Sequence, residues 1–152
     1  ALALSLKKLG RPMPGKLVLI SPWCDLTRTE EDYAAIPVED PTLSPRKLAE
    51  AARLYAGNDL YSPFVSPIYG EFEGFPPVLI YVGTREYLLE DAQNLCEKLR
   101  SAGVPCALRV ADGMWHAYVL YGVPEAKAAL AEMAAFLRGE EIAFDTEVVK
   151  ET

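Results

Sequence analysis

One histidine and one acidic residue suggest acid–base chemistry in this 152-residue chain. His116, the only histidine, ends the tetrapeptide Gly-Met-Trp-His, just after a predicted strand. Loops at strand ends are where α/β proteins place functional groups. Glu86 lies in the turn between an earlier predicted strand and the helix that follows it. A carboxylate there can accept a hydrogen bond from imidazole Nδ1–H and leave Nε2 free as a base.

Each of these residues also has a structural interpretation. A loop histidine can satisfy only local hydrogen bonds. Glu86, Glu90 and Asp91 can be the acidic residues that the helix dipole favours at a helix N-terminus. For Glu90 and Asp91 we prefer that structural interpretation, whereas for Glu86 residue type and position leave both interpretations open.

No residue of the chain is recognisable as a nucleophile. The six serines lack the flanking glycines of a GxSxG turn, which presents a reactive serine between a strand and a helix. An HGG-type oxyanion loop is also missing, since Ala117 follows His116, and no cysteine lies in a familiar catalytic context. We therefore expect the nucleophile to lie upstream of residue 1 or not to exist.

The elements that would position these residues alternate along the chain. Short apolar runs predict buried strands at 16–20, 78–82 and 107–110. Helices are predicted at 1–9, 44–56, 88–102 and 124–138, with Pro45 and Pro124 favouring helix starts. This order predicts an α/β fold with about three parallel strands and flanking helices over residues 1–139, followed by an acidic tail at 140–152. The residues expected to form the buried face of the last helix are Ala126, Leu130, Met133 and Leu137.

The composition excludes several classes of partner. The net charge of −7 argues against nucleic acid and against anionic membranes, and no apolar run approaches the ~18 residues of a membrane span. Cys24, Cys96 and Cys106 are odd in number and match no metal-binding spacing. We interpret them as small, partly buried thiols of a reducing compartment and expect a cytoplasmic protein.

The N-terminus predicts a piece of a longer protein. Residue 1 begins inside an apolar helical pattern without an initiator Met or a capping residue. The strand at 16–20 would then be an exposed sheet edge, and such edges recruit other strands. We expect this edge to pair with the missing N-terminal half or with a second copy of the chain.

Five segments in the right order give the chain a resemblance to a known family. They are ALALSLKKLG at 1–10, LVLISPWCDLT at 17–27, the Tyr-Ala-Gly and Ser-Pro-Phe-Val-Ser-Pro-Ile-Tyr loop at 55–69, the proline-led strand at 75–83, and the histidine loop at 113–116. In this order the chain resembles the C-terminal part of hormone-sensitive-lipase-like carboxylesterases and lipases, which are α/β-hydrolases. In that family a GDSAGG nucleophile turn opens the helix that ends in the first of these segments.

The resemblance implies roles for individual residues. His116 matches the catalytic base, and Glu86 matches the acid, which is usually Asp. Asp91 matches a second, supporting carboxylate and is the alternative acid. Trp23 and Trp115 are candidates for the substrate pocket, although core packing explains them equally well. Trp115 departs from the family pattern, where a proline usually precedes the histidine.

The function implied for the intact protein is two-step hydrolysis of a small carboxylic ester. A serine attacks the carbonyl, His116 transfers its proton to the leaving alcohol, and Glu86 orients the imidazolium. No metal or organic cofactor is needed. The chain carries two members of this triad and lacks the third, so we expect it to be inactive by itself.

Overall fold

The computed structural model describes residues 1–149 as four parallel strands flanked by helices on both faces. The strands are β1 (Leu17–Ile20), β2 (Val78–Gly83), β3 (Cys106–Ala111) and β4 (Thr146–Val149), in the spatial order β1-β2-β3-β4. The helices are α1 (Leu2–Lys8), α2 (Glu30–Ala34), α3 (Pro45–Ala56), α4 (Leu89–Ser101) and α5 (Pro124–Arg138). Short 3-10 turns lie at Pro67–Tyr69 and Tyr118–Leu120.

The two central strands are buried along their whole length. Alternate side chains of a strand point to opposite faces, so a continuously apolar run needs cover on both sides. One face packs on α1 and α4 through residues such as Ile80, Leu95 and Leu108. The other face packs on α5 through residues such as Leu79, Met133 and Phe136. The predicted α/β fold is therefore confirmed.

The sheet contains one strand more than the three that the sequence predicts. β4 lies within the segment interpreted above as an acidic tail, and it pairs in parallel with β3 from Leu108 opposite Thr146 to Ala111 opposite Val149. Its side chains are mostly exposed. The segment therefore carries no buried apolar run that would mark it as a strand.

The last helix buries Ala126 and Met133 as predicted, but it does not bury Leu130 and Leu137. Leu130 and Leu137 are exposed, whereas Ala129 and Phe136 pack against the sheet beside Met133. The predicted and observed faces share Ala126 and Met133, and their centres differ by about 50° around the helix. Contact with the sheet selects the face that carries Phe136, which belongs to the same apolar cluster as Leu79 of β2.

Candidate active site

Glu86 lies in the turn between β2 and α4 and is only 1% exposed. Its Oε1 accepts hydrogen bonds from the backbone N–H of Gly83 at 2.6 Å and from Ser21 Oγ at 2.8 Å. Its Oε2 lies 3.0 Å from His116 Nδ1. A buried carboxylate is costly unless donors surround it. These three contacts place hydrogen-bond partners at both oxygens of the Glu86 carboxyl group.

His116 lies in the loop after β3, and the fold brings this loop onto the turn that carries Glu86. Gly113 N–H donates to Thr84 Oγ1 at 2.9 Å, and Arg85 N–H donates to the Met114 carbonyl at 2.8 Å. A Cβ on Gly83 would lie 2.2 Å from that carbonyl oxygen. Only glycine therefore allows so close an approach between the two segments.

The imidazole of His116 has two different environments. A neutral ring that donates from Nδ1 to the carboxylate carries its free lone pair on Nε2. The side chain is 27% exposed, and Nε2 makes no hydrogen bond to residues 1–149. Nε2 can thus accept a proton from a group that residues 1–149 do not provide. Glu86 can then stabilise the resulting imidazolium.

Ser21 is a third polar side chain at this site, and it was not among the site residues predicted from the sequence. It follows β1 directly, is buried, and accepts a hydrogen bond from Ala117 N–H at 2.9 Å while donating to Glu86. Its backbone φ is +44°, which is unusual for a residue other than glycine. Its sequence neighbours Ile20 and Pro22 carry no signal of these contacts.

Asp91, the alternative acid, is held elsewhere. Its Oδ2 accepts hydrogen bonds from the backbone N–H groups of Cys24 and Asp25 at 3.0 and 2.9 Å, and Arg28 Nε lies 3.8 Å from Oδ1. Burial raises the pKa of Asp91 to about 6, although the two N–H donors oppose this shift. The structure therefore brings Glu86, and not Asp91, into hydrogen-bond contact with His116.

The two tryptophans lie in separate places. Trp23 donates from Nε1 to the Tyr33 hydroxyl at 2.9 Å and also lines an apolar cavity of about 280 Å³ beside α1 and β1. Trp115, the neighbour of His116, packs edge-to-face on Tyr121 with ring centroids 5.6 Å apart. Both rings therefore have packing roles.

Residues 1–149 contain neither a metal-binding cluster nor a helix that could span a membrane. Within residues 1–149 no three His, Cys, Asp or Glu side chains converge in a way that could hold a metal ion. In the same part of the chain, no helix combines the length and the apolar character needed to cross a bilayer.

The thiol of Cys24 is buried, which raises its pKa well above the usual range and makes it a poor nucleophile.

Comparison with known proteins places this chain in a family. A family model described as the alpha/beta hydrolase fold matches residues 1–120. The chain is 38% identical over 142 residues to an esterase of Acinetobacter venetianus, covering 90% of this chain and 47% of that protein. It is 34% identical over 137 residues to an acetyl-hydrolase of Streptomyces hygroscopicus, covering 88% and 46%. The chain thus spans about half the length of the curated relatives it matches.

Solved structures give the same result. A hormone-sensitive lipase from a metagenome library superposes with a TM-score of 0.81 at 34% identity, covering 91% of this chain and 48% of that one. An esterase from the bacterial hormone-sensitive lipase family superposes with a TM-score of 0.80 at 33% identity, covering 91% and 48%. The chain belongs to the α/β-hydrolase fold family, and within that family it resembles the hormone-sensitive-lipase esterases.

Proposed function

We propose that this chain supplies the histidine and the acid of a serine carboxylic-ester hydrolase, with His116 as the base and Glu86 as its partner. The observation that carries this proposal is the 3.0 Å contact between His116 Nδ1 and the buried carboxylate of Glu86. The names of the relatives, esterase and acetyl-hydrolase, support the same class of reaction.

In the proposed mechanism the nucleophilic serine lies outside these 152 residues. The sequence has no GxSxG turn, and Ser21 directs its hydroxyl to Glu86 and not to Nε2. That external serine attacks the ester carbonyl while His116 Nε2 accepts its proton. The imidazolium, stabilised by Glu86, then protonates the leaving alcohol. Water attacks the acyl-serine by the same route, and the reaction uses no cofactor.

A chimeric enzyme tests this function. The chain replaces the 142 matched residues of the Acinetobacter venetianus esterase, so that the remainder of that esterase is available to supply a nucleophile. We expect the chimera to hydrolyse p-nitrophenyl butyrate and the 152-residue chain alone to show no turnover. In the chimera, Glu86→Gln should lower kcat by roughly 10²–10⁴-fold, because an amide can no longer fix and stabilise the charged imidazole.

Glu90→Gln is the matched control, since Glu90 is an exposed carboxylate four residues away that pairs with Arg28. It should leave kcat within about twofold, as expected for a surface change. A folded chimera without esterase activity would refute the proposed function. His116-dependent turnover by the chain alone would refute the placement of the nucleophile.

Trp115 is proposed as a wall of the substrate pocket because it precedes His116 in the same loop and is only partly buried. Trp23 is proposed for a more distant part of the pocket, since it lines the apolar cavity beside α1 and β1. In the chimera, Trp115→Ala and Trp23→Ala should change the relative kcat/KM for acetyl, butyryl and octanoyl esters. Equal losses for all three esters would argue for packing roles only.

A second candidate function is pairing through β1. This strand forms one edge of the described sheet and is only half-buried, whereas β2 and β3 are fully buried. Leu2 and Leu9 are exposed on the neighbouring α1 segment. We propose that this surface binds either the remaining half of the hydrolase or a second copy of the chain.

Sedimentation analysis tests the pairing. The chain should form dimers or larger species at micromolar concentration, and the double change Leu2→Lys, Leu9→Lys should weaken them. A chain that stays monomeric at all concentrations and does not bind the unmatched part of the Acinetobacter venetianus esterase would refute this candidate.

The three cysteines are free and buried, which supports the further proposal of a reducing, cytoplasmic location.

A further inference from the structure

Two residues with strained backbones meet at the candidate site. Among residues 1–149, Ser21 and Ala117 are the residues other than glycine that have positive φ, at +44° and +54°. Ser21 directly follows β1, and Ala117 directly follows His116. A hydrogen bond of 2.9 Å joins Ala117 N–H to Ser21 Oγ. Strain of this kind persists only where surrounding contacts impose it, and it concentrates at functional sites.

The direction of each hydrogen bond to Ser21 is fixed by chemistry. A hydroxyl has a single proton, and an ionised carboxylate can only accept. The proton of Ser21 therefore points to Glu86 Oε1 at 2.8 Å, and a lone pair of Oγ receives Ala117 N–H. Through this one hydroxyl, the end of β1 is linked both to the acid after β2 and to the loop after β3.

We infer that Ser21 is a positioning residue for the His116–Glu86 pair. Together with Gly83 N–H it holds Oε1, so that Oε2 is directed at Nδ1. Through Ala117 it also fixes the loop that carries the imidazole. Ser21 acts through Glu86 and does not contact the reacting ester. Its effect on catalysis depends on the function proposed above, whereas its effect on the geometry of the pair does not.

Because His116 is the only histidine, NMR of the ¹⁵N-labelled 152-residue chain reports on this pair without ambiguity. The wild-type ring should carry its proton on Nδ1 and exchange it slowly. Ser21→Ala keeps the unfavourable φ and removes the hydroxyl, whereas Ser21→Gly relieves the strain and also removes the hydroxyl. Both variants should shift the ring toward mixed tautomers and speed Nδ1–H exchange by about tenfold or more, as the loss of one hydrogen bond predicts.

Ser66→Ala is the matched control, since Ser66 is also buried and its Oγ accepts from Leu26 N–H away from the histidine. It should leave the imidazole signals unchanged. Wild-type signals in both Ser21 variants would overturn the inference. Wild-type signals in Ser21→Gly together with perturbed signals in Ser21→Ala would also overturn it, because the perturbation would then come from backbone strain and not from the loss of the hydroxyl. Equal perturbation by Ser66→Ala would overturn it as well, because the effect would then reflect general loosening.

Activity separates this inference from the proposed function. In the chimera, Ser21→Ala and Ser21→Gly should each lower kcat about 10- to 100-fold with little change in KM, the pattern for a group that acts in the transition state. If the unmodified chimera is inactive, the esterase proposal fails, while the NMR result still decides whether Ser21 positions the pair. Perturbed imidazole signals without a fall in kcat would overturn the catalytic part of the inference.

Discussion

At the scale of single residues, two buried carboxylates illustrate how neighbours decide a role. Glu86 has donors at both oxygens, including the imidazole, whereas Asp91 has two backbone donors at one oxygen and no hydrogen-bond partner at Oδ1 within the described chain. Asp91 also fixes the backbone of Cys24 and Asp25 after β1. The supporting role that the resemblance implied for Asp91 stays a prediction.

Asp91 should make the stability of the chain depend on pH. Burial raises its pKa from 3.8 to about 6 in the folded protein, so the folded state binds the proton more tightly than the unfolded state. This contribution is fully present below pH 3.8 and is lost as the pH rises through about 6, at a cost of about 3 kcal/mol at most. Asp91→Asn removes it.

Urea unfolding of both proteins at pH 4 and pH 7.5 measures this effect. The stability of Asp91→Asn relative to wild type should rise by about 2–3 kcal/mol between the two pH values. The two proteins share all their other titratable groups, so subtracting one free energy of unfolding from the other at each pH removes the contribution of those groups. A difference that is the same at both pH values would show that the Asp91 carboxyl is not perturbed by burial.

At the scale of elements, the site depends on three parallel strands that end at the same edge of the sheet. Ser21 follows β1, Glu86 follows β2 and His116 follows β3. The apolar runs of these strands were visible in the sequence, and strand order in a parallel sheet then places residues such as Glu86 and His116 near each other. The role of Ser21 could not be predicted, because its hydroxyl contacts residues 65 and 96 positions away.

Gly83 should be required for the docking of the histidine loop on β2. In Gly83→Ala the new methyl group would overlap the Met114 carbonyl, so one of the two segments must move. We expect a loss of roughly 1–3 kcal/mol in the free energy of unfolding, as in other overpacked sites. We also expect a weaker contact between His116 and Glu86, seen as faster exchange of Nδ1–H.

Gly122→Ala is the control, because a Cβ there meets no atom within 4 Å. Its free energy of unfolding should stay within about 0.5 kcal/mol of wild type. If Gly83→Ala were equally harmless, the close approach of the two segments would not exist in solution.

At the scale of the whole molecule, the sequence predicted the layered α/β fold but not the extent of the sheet. Ion pairs, as well as the backbone pairing with β3, hold β4 on the sheet. Buried Arg109 on β3 pairs with Asp145 at 2.9 Å and with Glu147 at 3.5 Å, and it also contacts Glu132 of α5. The residues of this cluster are distant from one another in sequence, so the sequence alone did not reveal it. The acidic segment 140–152 was therefore predicted to be a tail. Similarly, nothing in the α5 pattern distinguished the Phe136 face from the Leu137 face.

Arg109 should therefore be important for the C-terminal edge of the sheet. Arg109→Met leaves the three carboxylates without their shared cation, and we expect a loss of roughly 1–3 kcal/mol in the free energy of unfolding. Amide exchange in β4 should become faster than in β2. Arg138→Met is the control, because Arg138 pairs with Glu140 on the surface and such pairs contribute little. Unchanged protection of β4 in Arg109→Met would contradict this assignment.

The assignment of His116 as the catalytic base is tested by the effect of His116→Ala on p-nitrophenyl butyrate hydrolysis by the chimera. We expect kcat/KM to fall by about 10³-fold or more, with circular dichroism and thermal unfolding like those of the unmodified chimera. An unmodified chimera that hydrolyses the ester, together with a folded His116→Ala variant that hydrolyses it equally well, would contradict the assignment of His116 as the catalytic base.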